Sequence, residues 1–209
     1  MVNMISKLTD EERNRIELAV AAAETRTCAE FGVVVAGASD DYAPFPLLWA
    51  GLLALVSGGV IAAAAPMTSL SLSFMIQAGV FIAAGLLLHL KGVRPRLAPA
   101  ALQRAYAARM AQLQFASLVN ARTRGDIGLL IFVSLAERHV EIVVDDGIAA
   151  RIPQAAFQGI VAEFIRDVHR GRLADGFIAA IEGCTLLLER HFPARPDEPD
   201  EISNKVTEI

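Results

Sequence analysis

Between Asp41 and Lys91 the chain has no Asp, Glu, Lys or Arg, although charged residues make up 20% of the whole sequence. A helix rising about 1.5 Å per residue needs about 20 apolar residues to cross about 30 Å of hydrocarbon, so the stretch is long enough for two crossings. Phe45 to Ala65 is expected as the first span and Leu70 to Leu90 as the second, with the turn at Pro66 and the Met-Thr-Ser that follows it. Cysteine is scarce as well. Cys28 and Cys184 sit in apolar helical or helix-end patterns, which points to packing in a reducing compartment rather than to a disulfide framework. The first 30 residues crowd Asp10, Glu11, Glu12, Arg13 and Arg15 together and lack the apolar core of a secretory signal, so the hairpin itself is expected to direct insertion. A formal charge of −4, a pI near 5.6 and no basic stripe interleaved with aromatics give no reason to expect nucleic-acid binding. No Walker A loop, Gly-x-Ser-x-Gly elbow, His-Glu-x-x-His or Cys-x-x-Cys occurs, so the common nucleotide-binding and hydrolase motifs are missing.

The apolar stretch carries its own pattern. Lys91, Arg94, Arg96, Arg104 and Arg109 follow the second span, whereas the turn between the spans has no basic residue. The positive-inside rule then places both flanks in the cytoplasm of a bacterial-type inner membrane, with the lipid bilayer as the first partner. Tyr42 and Trp49 suit the headgroup boundary. Ala50, Ala54, Gly58 and Ala62 recur at four-residue spacing as a smooth stripe, and Gly79 and Ala83 offer a partner stripe on the second span. In an antiparallel hairpin Gln77 falls at the depth of Ser57 and Gly58. Transport through an oligomer of such hairpins would need ionisable groups inside the membrane, and only His89, at the very end, is there.

The flanks read as two halves of one soluble domain. Thr9 and Glu12 stand at capping-box spacing, and a helix from about Asp10 to Thr27 places Ile16, Val20 and Ala23 on one face. Phe31 to Ala36 is a short apolar run suited to a buried strand. Beyond the hairpin, Pro99 to Ala121 predicts an amphipathic helix, and Ile127 to Ser134 a central strand. Leu135 to Arg138 forms a turn and His139 to Val144 an alternating return strand. Helices from Pro153 to His169 and from Phe177 to about Phe192 follow, and a Pro- and acid-rich stretch over 194–209 is expected as a disordered tail. The expected architecture is α/β: a small mixed sheet between helices, formed by residues 8–40 and 97–193 and interrupted by the hairpin over 45–90, with the Phe31 strand parallel to the Ile127 strand.

Gly128-Leu-Leu-Ile-Phe-Val-Ser-Leu-Ala-Glu-Arg-His-Val-Glu-Ile-Val-Val-Asp-Asp-Gly-Ile148 resembles the core signature of the TPM domain. Leu8-Thr-Asp-Glu-Glu12 through Glu30-Phe-Gly-Val-Val-Val35 resembles its opening helix and strand. The family includes thylakoid-lumen proteins linked to photosystem repair, bacterial envelope proteins and many bacterial membrane proteins. The resemblance implies an α/β/α sandwich; some relatives are described as acid phosphatases and some bind calcium through acidic residues. In the commoner layout a secretory signal leads and a single span trails the domain, whereas here the hairpin interrupts it.

The residues themselves offer one place for chemistry. In a β-hairpin turning near Ala136, the start of the first strand lies beside the end of the second, so Asp126 should neighbour Asp145 and Asp146. Three carboxylates with Gly147 at a bend suit Ca²⁺ or Mg²⁺, which in turn could polarise a phosphoryl oxygen; Asp before Gly is also ordinary turn chemistry. Asp40 and Asp41 leave the first strand at the opposite end and read as a solvated turn. His139 and Glu141 share a strand face, while His169 and His191 close helices. No residue pattern assigns a catalytic role. The leading expectation is a membrane-proximal interaction or assembly module whose partner is a membrane or cytoplasmic protein, with self-association open. The alternative is a divalent-metal-dependent phosphatase.

Overall fold

The computed structural model describes residues 8–65, 67–90, 93–120, 127–194 and 205–209. They fall into two units, one joining the residues up to Ser39 with Arg104–Ile209, the other spanning Asp40–Gln103.

In the first unit, α1 (Asp10–Glu24) begins at a capping box: the Thr9 hydroxyl accepts from the Glu12 amide at 3.2 Å, and the Glu12 carboxylate accepts from the Thr9 amide at 2.9 Å. Asp10, Glu11 and Glu12 place negative charge at the positive end of its dipole. Strand β1 (Glu30–Ala36) pairs in parallel with β2 (Gly128–Ser134), and β2 pairs antiparallel with β3 (His139–Val144) across the turn at 135–138. Arg138 takes a left-handed φ of 51° to make that turn. Alternation along β1 and β2 feeds two cores. Phe31, Val33, Leu129, Ile131 and Val133 face α1, α7 (Gln158–His169) and α8 (Leu173–Leu188); Val34, Leu130 and Phe132 face α5 (Ala100–Phe115) through Ala107, Ala111 and Phe115. The sheet is therefore layered between helices, as the apolar runs require for strands buried on both faces.

Several segments differ from the sequence expectation, and α8 already begins at Leu173 rather than Phe177. A short helix α6 (Asp146–Ala149) follows β3, and a 3₁₀ turn (Gln154–Phe157) precedes α7. At the C-terminal stretch, residues 195–204 lie outside the described residues, but the expected disordered tail does not extend to 209: Thr207–Glu208 form β4, giving the order β3-β2-β1-β4. The reason is specific contact rather than composition. Val206 is buried in the core beside α1, and Glu208 pairs with Arg13 at 2.7 Å.

The second unit holds α2 (Pro44–Ala64) and α3 (Leu70–Leu88), two helices long and apolar enough to cross a membrane, and the four-residue α4 (Arg94–Leu97). Only Pro46 and Ala50 of α2 and Ala84 of α3 are buried. The expected turn residue Pro66 lies outside the described residues. Gln77 packs over Gly58 so closely that a Cβ at Gly58 would sit 1.9 Å from Nε2, and Ala50 approaches Gly85. Ala54 is half-buried and Ala62 exposed. The expected partner stripe on α3 is corrected: Gly79 and Ala83 are exposed, with nothing within 4 Å of a Cβ built on Gly79, and Ala84 is the buried small residue. Gly79 follows Gln77 by two residues, about 200° around the helix, so both cannot face α2. Tyr42 also departs from the headgroup role, being 1% exposed with φ 52°, its amide donating to Asp40 Oδ1 at 3.0 Å. Trp49 donates from Nε1 to the Leu97 carbonyl at 3.1 Å, and Asp41 pairs with Arg94 at 2.5 Å.

Candidate functional site

The start of β2, the end of β3 and α6 meet at one end of the sheet. Asp145 is buried there. Its Oδ1 accepts from the Ile148 amide at 3.0 Å, capping α6, and its Oδ2 accepts a short hydrogen bond from the Gly128 amide. The Asp145 amide returns a hydrogen bond to the Gly128 carbonyl at 3.1 Å. The side chain thus satisfies amides at both a helix start and a strand start, the use to which Asp before a turn is suited. Asp146 is exposed in the first turn of α6. Asp126, the third residue of the expected metal set, lies outside the described residues. Among the described residues no three His, Cys, Asp or Glu come together as a metal group. Each Asp145 oxygen already accepts from an amide, so the described residues by themselves do not assemble a complete cation site.

A cavity of about 150 Å³ lies at this end of the sheet, lined by Cys28, Ile127, Arg151 and His191 with Phe192 to Ala194. Its walls are set by backbone pairing. Thr27 and Pro193 form an antiparallel bridge, the Cys28 amide donates to the Phe192 carbonyl at 3.1 Å, and the Thr27 hydroxyl donates to the same carbonyl at 2.6 Å. Nearby, Arg26 donates to Glu182 at 2.9 Å and to Glu189 at 2.8–3.0 Å, tying the end of α1 to α8; these carboxylates raise its already high pKa, Glu182 most. Arg151 stacks on the Phe192 ring at 4.9 Å and donates to the His191 carbonyl at 3.1 Å. Stacking holds the guanidinium at the cavity, where no described carboxylate pairs with it, an arrangement suited to a small anion. The sequence pattern does not announce this cavity: Cys28 and His191 read as packing and helix-end residues, and Arg151 falls in no motif. No spacing motif joins positions so far apart in the chain.

A larger apolar groove, about 290 Å³, runs between β3 and α7. Val140, Ile142, Phe157, Val161 and Ile165 floor it, with Glu141, Gln154 and Gln158 among its polar lining residues. β3 is an edge strand, and Gln154 Nε2 donates to the Ile142 carbonyl at 2.9 Å, occupying one of its outward acceptors. His139 Nε2 and Glu141 Oε2 lie 3.0 Å apart on the same strand. At the opposite end of β2, buried Ser39 and Ser134 join half-buried Glu137 in a hydrogen-bonded cluster: Ser39 Oγ to Ser134 Oγ is 2.8 Å, and Glu137 accepts from the Ser39 amide at 3.0 Å and, by a short bond, from the Ser134 hydroxyl. Of the remaining histidines, His169 ends α7.

These observations define a class first: a mixed-sheet α/β/α domain into whose sequence, between two paired parallel strands, a pair of long apolar helices is inserted. The model of the TPM domain family matches residues 95–185 of the chain, from α4 into α8. The matched stretch leaves out α1 and β1, which complete the same sheet. In fold the chain is similar to the NMR structure of the BA42 protein from the psychrophilic bacterium Bizionia argentinensis, with a TM-score of 0.62 at 17% identity and all of both chains covered. No curated protein matches the chain.

Proposed function

We propose that this chain is a two-span protein of a bacterial inner membrane whose TPM domain, in the cytoplasm, serves as a membrane-proximal interaction or assembly module. The supporting observation is the apolar groove of about 290 Å³ beside edge strand β3, which offers a binding surface without the motifs of common enzymes. The outward-facing apolar residues of α2 and α3, such as Leu55 at 73% and Leu70 at 74% exposure, support the membrane assignment. Arg94 and Arg96 after α3 support the cytoplasmic side.

A photo-crosslinking residue at Gln158, in the groove, should yield a covalent adduct of one discrete mass in intact cells; absence of any adduct overturns the module reading. A thiol introduced at exposed Ala136, in a Cys28→Ser background, should resist a membrane-impermeant reagent until cells are opened. Labelling from outside would overturn the cytoplasmic assignment.

The cavity beside Arg151 favours a second reading, a phosphatase dependent on Ca²⁺ or Mg²⁺, with Asp126, Asp145 and Asp146 as the metal-binding set. It predicts calorimetric binding of the cation and metal-dependent phosphate release from a generic aryl ester, both lost in an Asp145→Asn/Asp146→Asn variant that keeps its fold. Neither signal in the parent chain overturns it.

A further inference from the structure

We propose that the free edge of β1 is a peptide-docking slot, filled here by the chain's own residues 205–209. It accepts from a separate partner protein an extended segment with an apolar residue two positions before a glutamate. The inference deepens the module reading above and rests on it.

The slot has a backbone half and a side-chain half. On the backbone side, β4 adds to β1 in parallel through two residue pairs among the described residues, Val34 with Thr207 and Val35 with Glu208. The Ile209 amide donates to the Val35 carbonyl at 3.0 Å, and the Gly37 amide donates to the Ile209 carbonyl at 2.8 Å. On the side-chain side, alternate residues of an extended segment share a face, so Val206 and Glu208 both turn toward α1. Val206 enters the core that α1 helps to form, and the Glu208 carboxylate meets Arg13 at 2.7 Å. Glu17, one helical turn beyond Arg13, accepts from the Val206 amide at 3.2 Å. Helix α1 therefore reads two features of the segment, an apolar side chain and an acid two residues later, while β1 reads its backbone. Strand addition to a sheet edge with pockets for alternate side chains is an established mode of peptide recognition.

The occupant is suited to exchange. Two ladder pairs at a parallel edge make a small contact, and the tether's advantage is its effective concentration, on the order of millimolar for a short connection. Without β4, β1 presents an open edge on a strand whose residues from Phe31 to Ala36 are all buried, a template that calls for another strand. A partner segment with the same apolar-x-Glu pattern and longer flanking contacts can outcompete the tethered copy.

The test uses the detergent-solubilised full chain, a chain ending at Ala194, and a fluorescent Lys205–Ile209 peptide. The shortened chain should bind the peptide at least about tenfold more tightly than the full chain, because the tethered copy no longer competes. Arg13→Glu in the shortened chain should weaken binding about fivefold and turn its preference to a peptide with lysine in place of Glu208. If the shortened chain does not unfold cooperatively, full-length Glu208→Lys takes its place and should admit the wild-type peptide where the parent does not. No binding by any folded variant, or binding indifferent to Arg13 reversal, overturns the slot. Full-chain dimers that the peptide dissolves would make a second copy the donor and overturn the assignment to a separate partner. Crosslinking at Gln158 probes the groove rather than the slot: adducts there without peptide binding overturn the slot alone, and peptide binding without adducts overturns the groove reading alone.

Discussion

In β2 every residue from Gly128 to Ser134 is buried, whereas along Pro44–Ala64 only Pro46 and Ala50 are. The two stretches draw on the same leucine, valine and isoleucine, yet one hides them inside a layered sheet and the other turns them outward. What separates them is length and backbone bookkeeping. A seven-residue strand must find partners for its amides in neighbouring strands, while helices of 21 and 19 residues satisfy their own and can turn their apolar side chains outward. An apolar run is thus read by what its backbone can close.

Truncation of large apolar side chains is the strongest way to break this contrast. Phe164 is 1% exposed, stacks edge-on to Phe177 at 4.7 Å and lies over Gly176, so Phe164→Ala should cost about 3–5 kcal/mol in denaturant unfolding of the solubilised chain. Leu55→Ala should change stability by less than about 0.5 kcal/mol in the same detergent; equal losses would mean that α2 is packed, not solvent-facing.

Next comes Asp145→Ala, which strips the cap of α6 and the partner of the Gly128 amide, and should cost about 1–3 kcal/mol. A neutral cost would show that this carboxylate is held for a ligand instead.

Titration sharpens the contrast from another side. Burial pushes the Cys184 thiol up to about 12 from its ordinary 9.0, so the folded state holds that proton more tightly than the unfolded chain. The associated stability is complete below pH 9 and is lost as pH rises from 9 toward 12, at up to about 1.4 kcal/mol per pH unit. Cys184→Ala should remove that component of the slope in pH-dependent unfolding.

Within the hairpin, Gly58→Ala should cost about 1 kcal/mol by pushing the Gln77 amide aside, and Gln77→Ala should relieve it in a double-mutant cycle. The smallest effect belongs to the Arg15–Asp175 pair, at 2.8 Å but with side chains 49% and 53% exposed: Asp175→Asn should cost under about 0.5 kcal/mol and less at high salt.

Much of the fold was legible. The capping box at Thr9, the alternation of His139 to Val144 and the charge-free stretch each encode a local rule whose outcome follows from a few neighbouring residues. Pairing of β1 with β2 was legible because a lone helix and strand cannot form a core. β4 was not, since Thr207–Glu208 carry no periodicity and are held by Arg13, Glu17 and Val35 from the other end of the chain. The candidate site divides the same way. Hairpin geometry correctly set Asp145 beside the start of β2, but the Arg151 cavity arises from three separate segments and leaves no spacing to read. Gln77 was legible as the neighbour of Gly58 by depth, whereas Gly79 and Ala83 could not be told from Ala84, because small residues alone do not reveal rotation.

The parallel register of β1 and β2 has a consequence for biogenesis. Ser39 and Ser134 touch across 95 residues of sequence that include both apolar helices. Two strands of one sheet must lie on the same side of any bilayer, so whatever separates them has to cross an even number of times. If α2 inserts and α3 does not return, the halves of the domain are stranded in different compartments and no sheet can close. If α2 and α3 insert as proposed, folding of the domain acts as a parity check on that insertion, passed only by chains whose hairpin has gone in and come back.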